Sequence, residues 1–247
     1  MIQLLLLLVF VITSTVSYGA PSCKNVFVEK NNVGNPFLLD IHEFDVELKP
    51  SLSIPEGGTV EIAPGMYRIS VAEKAFNYLA APEVAGRQRQ SNWCWAAALQ
   101  MILNYKGVLT TQEHLVEMLY GVQVDQPANK FQIMDVMNHN FTNIHGRASR
   151  VESYDIDPFV FENFIHFLGK EKQPMLIGLR GSQTGATGHA YVLTGAEFKV
   201  NARGEVIEVT QVNLRDPWPM NPTEKNITWN EFAQSHIFSI GLKVTHY

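Results

Sequence analysis

The chain is poor in charge, in cysteine and in long apolar runs. Charged residues make up 17% of its 247 residues, and the formal net charge is -5 at pH 7. Proteins that bind nucleic acid carry basic patches, so this balance disfavours a nucleic-acid partner. The only two cysteines are Cys23 and Cys94, so the chain can form at most one internal disulfide. With 46% hydrophobic residues, it has the composition of an ordinary globular protein.

An apolar run occupies residues 4–12, and small polar residues follow it up to residue 20. The run is shorter than the roughly 20 apolar residues that cross a bilayer, and its length is typical of the hydrophobic region of a signal peptide. We therefore predict a signal peptide at 1–20. The mature protein is then secreted and extracellular, or periplasmic in a bacterium, with no membrane partner. In that oxidising compartment Cys23 and Cys94 could pair.

Two regions with different sequence patterns follow the predicted signal peptide. Short alternating runs broken by proline and glycine occupy residues 25–80 and are typical of strands, so we predict a small β-rich module of unknown role at 21–82. A polar link at 80–90 separates this module from a region of helices followed by strands. We predict a second domain at 83–247, and α+β is the expected fold class.

Helical periodicity dominates the first half of the second region, and period-two alternation dominates the rest. Within the helices, Thr110 and Glu113 have capping-box spacing, while Asp157 and Gly169 stand where an N-cap and a stop are expected. We therefore expect a helical half followed by an antiparallel β half. The predicted helices are 93–105, 112–120, one within 128–141, and 157–170; the predicted strands are 173–179, 189–200, 205–214 and 236–244, with a turn at 201–204.

The stretch QRQSNWCWAA places Cys94 at the start of the first of these helices. A helix N-terminus stabilises a thiolate, which is the reactive form of cysteine. A catalytic cysteine also needs a histidine to hold its proton and a third group to orient the imidazole. His189 opens a predicted strand after a glycine-rich segment, and Asp216 ends another strand before a proline. Cys94, His189 and Asp216 are therefore candidate catalytic residues.

Gln88 stands six residues before Cys94 and its CWAA run, and this arrangement resembles the papain-type signature. With His189 and Asp216 the order becomes Gln, Cys, His, Asp. The segments QPMLIGLRG, GHAYVLTG and VNLRDPW resemble the compact branch of papain-like cysteine peptidases, which includes bacterial plant-pathogen effector proteases and bacteriocin-leader peptidases. The resemblance covers residues 86–245. Cys94 and His189 are closer in sequence than the corresponding residues of papain, which indicates a smaller version of the papain-like domain.

The resemblance implies a papain-like fold and a secreted cysteine endopeptidase that acts on protein or peptide substrates without a cofactor. It assigns Cys94 as the nucleophile, His189 as the acid and base, and Asp216 as the group that orients the imidazole. Gln88, together with the backbone N–H of Cys94, would form the oxyanion hole, and Trp218 would shield the bond between His189 and Asp216 from solvent. The β-rich module could recognise a protein inhibitor or a target.

Two other functions fit the same residues. A transglutaminase-like acyl transferase also orders Cys-Trp, His and Asp, and a catalytically inert papain fold could serve as a binding or toxin-like protein. Trp93 and Trp95 flank the nucleophile at positions that point in different directions, so we expect one in the core and the other at the cleft wall or partly exposed. The other histidines show no metal-binding spacing such as HExxH, so no metal site is predicted.

Overall fold

The computed structural model describes residues 57–72, 75–76, 79, 86–143, 145–181 and 188–247. The predicted signal peptide, Cys23 and most of the predicted β-rich module at 21–82 lie outside the described residues. Within the described ranges, every helix is too short or too polar to cross a bilayer.

Five α-helices have defined bounds in the described part of the chain. Those predicted at 93–105, at 112–120 and within 128–141 are confirmed, whereas the one predicted at 157–170 begins later and ends as a π-helix. The helices are α1 (Cys94–Tyr105), α2 (Gln112–Tyr120), α3 (Lys130–Met137), α4 (Phe161–Phe164), which continues as a π-helix over Ile165–Lys170, and α5 (Trp229–Ser235).

Among the described residues, nine strands form one sheet in which neighbouring strands are antiparallel. The strands are β1 (Gly58–Ala63), β2 (Met66–Ser70), β3 (Asn140–Thr142), β4 (Ala148–Asp155), β5 (Met175–Leu179), β6 (His189–Val200), β7 (Val206–Arg215), β8 (Glu224–Thr228) and β9 (His236–His246). Strand β6 pairs with β5 along its first half and with β2 along its second half, while β7 pairs along its opposite edge. The predicted α+β class with antiparallel strands is confirmed.

Helix α1 packs against the sheet at β5 and β6 and is buried on nearly all sides. Leu99 and Leu103 are fully buried in its middle, and Trp95 is 1% exposed near its start. Each such large apolar side chain contributes roughly 1.5–3 kcal/mol when it leaves water. This burial fixes α1, and therefore also the position of Cys94, which is its first residue.

The N-cap of α2 differs from the prediction by one residue. The hydroxyl of Thr111 accepts a hydrogen bond from the backbone N–H of His114 at 3.2 Å. Thr110, which has capping-box spacing with Glu113, is buried instead. Threonine is a preferred N-cap residue, so residue type alone could not show which of these two adjacent threonines caps the helix.

The helix predicted at 157–170 is also corrected. Asp157 caps a turn that precedes α4, because its carboxylate accepts a hydrogen bond from the N–H of Phe159 at 2.9 Å. Gly169 does not stop the helix but lies inside the π-helical segment. A Cβ atom on Gly169 would come within 2.7 Å of Cδ1 of Ile69, so this glycine serves close packing between the segment and β2.

Two unpredicted strands lie within the region predicted as a helical half. Strand β4 pairs with β9 over seven residue pairs, from Ser149 and His246 to Asp155 and Ile240, and β3 pairs with β4. Only two of the eight β4 side chains are buried, so its apolar alternation is weak. Strand β8 and helix α5 were not predicted either. The helical and β halves are therefore interleaved.

A hairpin of β1 and β2 extends this same sheet, although its residues belong to the predicted β-rich module. Tyr67 of β2 pairs with Phe198 of β6, and the N–H of Val71 donates to the carbonyl of Thr194 at 2.9 Å. Ile69 is only 1% exposed. This hairpin therefore contributes to the common core, while the boundary at 82/83 and partner recognition by 21–82 stay predictions.

Candidate active site

Cys94 is the first residue of α1 and has a half-buried, free thiol. The first turn of α1 contains no acidic side chain, so no carboxylate there competes with a thiolate for the positive end of the helix dipole. A thiolate at such a position is stabilised by that dipole and by the N–H groups of the first turn. The predicted placement of Cys94 at a helix N-terminus is confirmed.

His189 and Asp216 meet because β6 and β7 are antiparallel neighbours. His189 begins β6 and Asp216 directly follows the end of β7, and Val192 pairs with Arg215 between them. Nε2 of His189 lies 2.8 Å from Oδ1 of Asp216. The His189 side chain is 23% exposed, whereas the Asp216 side chain is 1% exposed. The sheet therefore presents the imidazole to solvent and buries the carboxylate behind it.

Cys94 and His189 line the same cleft, and Cys94 is close enough to affect the pKa of the imidazole. Since Nε2 forms a hydrogen bond with Asp216, Nδ1 is the ring nitrogen that remains available to the thiol of Cys94. Burial lowers the pKa of His189, but the hydrogen bond and charge of Asp216, together with the influence of Cys94, outweigh burial and raise the pKa to about 9. At neutral pH the ring is therefore an imidazolium, which can accompany a thiolate and later donate a proton.

Asp216 is held by two further hydrogen bonds from its own loop. The backbone N–H of Trp218 donates to Oδ1 at 2.8 Å, and the side-chain amide of Asn221 donates to Oδ2 at 2.7 Å. Burial raises the pKa of Asp216, but His189, Asn221 and Trp218 together lower it below its ordinary value. Asp216 therefore stays a carboxylate. Asn221 was not predicted, because no sequence pattern links it to Asp216.

Two aromatic rings stand edge-on to the imidazole. The Tyr191 ring lies 4.6 Å from the His189 ring at an interplanar angle of 89°, and the Trp218 ring lies 6.4 Å away at 81°. Tyr191 is two residues after His189 in β6, so both side chains lie on the same face of the sheet. Tyr191 was not predicted, although its spacing from His189 within a predicted strand points to this position.

Gln88 lies beside the Asp216 loop, where its backbone N–H donates to the carbonyl of Pro217 at 2.8 Å. Its side chain is buried, and the amide nitrogen donates to the carbonyls of Gln90 and Ser91 at 2.8 and 3.0 Å. The amide oxygen of Gln88 has no hydrogen-bond partner among the described residues. Both amide hydrogens are therefore engaged by the backbone that leads into α1.

Comparison with known proteins concerns the same part of the chain. Residues 77–236 match the peptidase family described as papain-like cysteine protease AvrRpt2. The chain belongs to this family. The matched segment contains Gln88, Cys94, His189 and Asp216, and the match confirms the predicted papain-like resemblance and the assignment to cysteine-type peptidases.

One solved structure similar to this papain-like cysteine protease is the peptidase domain of Streptococcus ComA, described as a bi-functional ABC transporter involved in a quorum sensing pathway. The two share 15% sequence identity over 64% of this chain and 95% of that chain, with a TM-score of 0.43. The comparison with curated proteins found no match.

A cleft of about 570 Å³ opens beside Cys94 and His189 in this papain-like cysteine protease. One wall consists of residues 127–132, at the start of α3, and the other includes Ile237 and Phe238 at the start of β9. Most of the lining is apolar, so the cleft is suited to a peptide side chain. The charged residue of the first wall is Lys130, whose ammonium group lies 2.6 Å from Asp155.

Trp93 and Trp95 hold one wall of this cleft in place. Their indole N–H groups donate to the carbonyls of Val124 and Gln126 at 2.8 and 3.3 Å, in the loop before α3. Trp93 lies in the core and Trp95 lines the cleft, as expected for the pair. However, Trp95 is only 1% exposed, because its ring also packs into the core.

Proposed function

We propose that the chain is a secreted cysteine endopeptidase in which Cys94, His189 and Asp216 act as a catalytic triad. The observation that carries this proposal is the 2.8 Å contact between Nε2 of His189 and Oδ1 of Asp216, which leaves the other ring nitrogen for Cys94. The same three roles occur in the Cys-His pairs of papain-like proteases and in Ser-His-Asp triads. The apolar cleft beside Cys94 and His189 supplies a place for the substrate.

The first half of the reaction forms a thioester. The Cys94 thiolate attacks the carbonyl carbon of the scissile peptide bond, and the carbonyl oxygen becomes an oxyanion. The His189 imidazolium then donates its proton to the departing amine as the C–N bond breaks. Asp216 keeps the ring oriented and stabilises its positive charge.

The second half releases the acyl group. His189, now neutral, removes a proton from water, and the resulting hydroxide attacks the thioester carbon. The C–S bond breaks, the new carboxylic acid leaves, and Cys94 returns to the thiolate paired with the imidazolium. The backbone N–H of Cys94 and the amide of Gln88 are the proposed oxyanion donors, and loss of one such donor costs about 10²–10³ in rate. For this role Gln88 must turn one amide hydrogen from a backbone carbonyl to the substrate.

Intact-mass analysis after treatment with a peptidyl epoxide tests the triad. The wild type is expected to gain a single adduct on Cys94, whereas Cys94→Ala gains none and His189→Ala reacts far more slowly. Labelled casein then reports endopeptidase activity, and a labelled amine with a glutamine peptide reports acyl transfer. A wild type that leaves casein and the epoxide untouched, while its thiol reacts with iodoacetamide, would contradict the proposal.

Secretion is proposed from the apolar run at residues 4–12. Such a run directs export when it forms the hydrophobic region of a signal peptide. The test is the N-terminal sequence of protein recovered outside the cytoplasm after expression of the full chain. A start near residue 20 is expected, and protein that stays in the cytoplasm with its first residues intact would refute export.

A further inference from the structure

Arg87 immediately precedes Gln88 and is buried, with 9% of its surface exposed. One of its terminal nitrogens donates to the carbonyl of Asp216 at 2.8 Å. The other donates to the carbonyls of Pro219, at 3.1 Å, and Asn221. A single guanidinium group therefore holds three backbone carbonyls of the loop at 216–221.

That loop is the element that fixes the catalytic carboxylate. Within it, Asn221 and the N–H of Trp218 donate to the two oxygens of Asp216. The N–H of Asn221 also donates to the carbonyl of Trp218 at 3.2 Å. The direction of the carboxylate thus depends on the loop, and the loop depends on Arg87 for the hydrogen bonds of three carbonyls.

The backbone of Arg87 is in turn held by Gln112, the first residue of α2. The side-chain amide of Gln112 is fully buried and donates to the carbonyl of Arg87 at 2.8 Å. Its oxygen accepts from the N–H of Arg89 at 3.0 Å, and its nitrogen also contacts the side-chain oxygen of Gln100 in α1 at 3.1 Å. Arg87 is therefore linked to the helix that begins with Cys94.

We propose that Arg87 is a positioning residue of the active site, which orients Asp216 against His189 by holding the 216–221 loop. The inference rests on the proposed triad and adds to it a residue that touches neither substrate nor thiol. The planar guanidinium fork can serve three carbonyls at once, whereas a lysine ammonium group is a compact charge that cannot reproduce this geometry.

Arg87→Met and Arg87→Lys test the proposal through the pH dependence of epoxide alkylation at Cys94. Opening of the epoxide needs a proton from the imidazolium, so the alkaline limb of the profile reports the titration of His189. Of the residues that the structure describes, the titratable groups that face His189 are Cys94 and Asp216, and Tyr191 packs against its ring. We expect Arg87→Met to slow alkylation by about 10²-fold, as for a small misplacement of a catalytic group.

Both Arg87 variants are also expected to shift the alkaline limb to lower pH, with a smaller shift for lysine. Arg89→Met is the matched control, because the side chain of Arg89 pairs with Glu113 on the surface. We expect this variant to keep the wild-type alkylation rate and the wild-type alkaline limb. Should Arg87→Met not fold, Arg87→Lys and Asn221→Ala carry the test. Asn221→Ala removes one hydrogen bond from the loop to Asp216 and is expected to shift the limb in the same direction.

Repeating the Arg87→Lys substitution in an Asp216→Ala variant separates an effect of Arg87 on the position of Asp216 from an effect on the stability of the whole domain. If Arg87 acts through Asp216, Arg87→Lys causes no further shift of the limb in this background. A folded Arg87→Lys with wild-type rate and limb would overturn the inference, and so would an equal shift with and without Asp216. A wild type without any epoxide adduct on Cys94 would instead refute the triad itself, so the two failures are distinguishable.

Discussion

Replacing Asp216 with alanine changes the protonation of His189 by an amount that the structure allows us to work out. In the wild type the pKa of His189 is raised to about 9, whereas an unperturbed histidine has a pKa of about 6.5. The hydrogen bond and charge of Asp216 contribute to this increase. The whole increase corresponds to about 3 kcal/mol of preferential stabilisation of the imidazolium, at about 1.4 kcal/mol per pKa unit.

The loss of Asp216 is therefore expected to matter most on the alkaline side of neutrality. At pH 8, a pKa of about 9 leaves roughly 90% of the imidazole protonated, whereas a pKa of about 6.5 leaves roughly 3%. Asp216→Ala can thus lose up to about 30-fold in reactivity at pH 8 from protonation alone, but less than about twofold at pH 6. Because Cys94 also raises the pKa of His189, the limb moves toward the unperturbed value without reaching it.

The assay is the second-order rate of epoxide alkylation at Cys94, followed by intact mass between pH 5 and 10. Asp216→Asn is the matched control, because it keeps an oxygen that can accept from His189 but removes the charge. Its alkaline limb should lie between those of the wild type and Asp216→Ala. If the alkaline limb of a folded Asp216→Ala coincides with that of the wild type, Asp216 does not stabilise the imidazolium.

Three substitutions test the scaffold around the site, each by urea unfolding followed through tryptophan fluorescence. Leu99→Ala in the fully buried middle of α1 should lower the free energy of unfolding by about 2–5 kcal/mol, and a loss below about 1 kcal/mol would contradict the burial. Gln112→Leu leaves the carbonyl of Arg87 and the N–H of Arg89 unpaired, so about 2–4 kcal/mol should be lost; an unchanged midpoint would count against the network. Ile69→Ala should lower the free energy of unfolding by about 2–5 kcal/mol, and the protein should still unfold in one transition. If the main unfolding transition is unaffected, the β1–β2 hairpin folds separately from the rest of the domain.

The sequence predicted best those elements whose burial pattern is regular. Helix α1 and strand β6 were located to within one residue, because α1 is mostly apolar and β6 is a long run between glycine-rich and turn segments. Strand β4 was missed, because it alternates weakly and its neighbour β9 lies far along the chain. The pairing of β2 with β6 could not be predicted either, since register between distant strands leaves no local pattern.

At the site, the sequence identified the residues of the proposed triad and missed those that hold them. Cys94, His189 and Asp216 each follow a rule that depends on residue type: a thiol at a helix start, an imidazole at a strand start, a carboxylate before a proline. Asn221 follows no such rule. It matters because its amide meets Asp216 at 2.7 Å, and only the folded loop brings the two together.

Arg87 and Gln88 illustrate the same limit on adjacent positions. Gln88 was predicted from its spacing to Cys94, yet its amide hydrogens are engaged by backbone carbonyls. Arg87 was passed over, yet its guanidinium group binds three carbonyls of the loop that carries Asp216. A backbone carbonyl is present at every residue, so a side chain that binds carbonyls leaves no signature in the sequence of its partner. Candidate reactive groups can therefore be predicted from residue type and spacing, whereas the residues that hold them in place become visible only when the chain has folded.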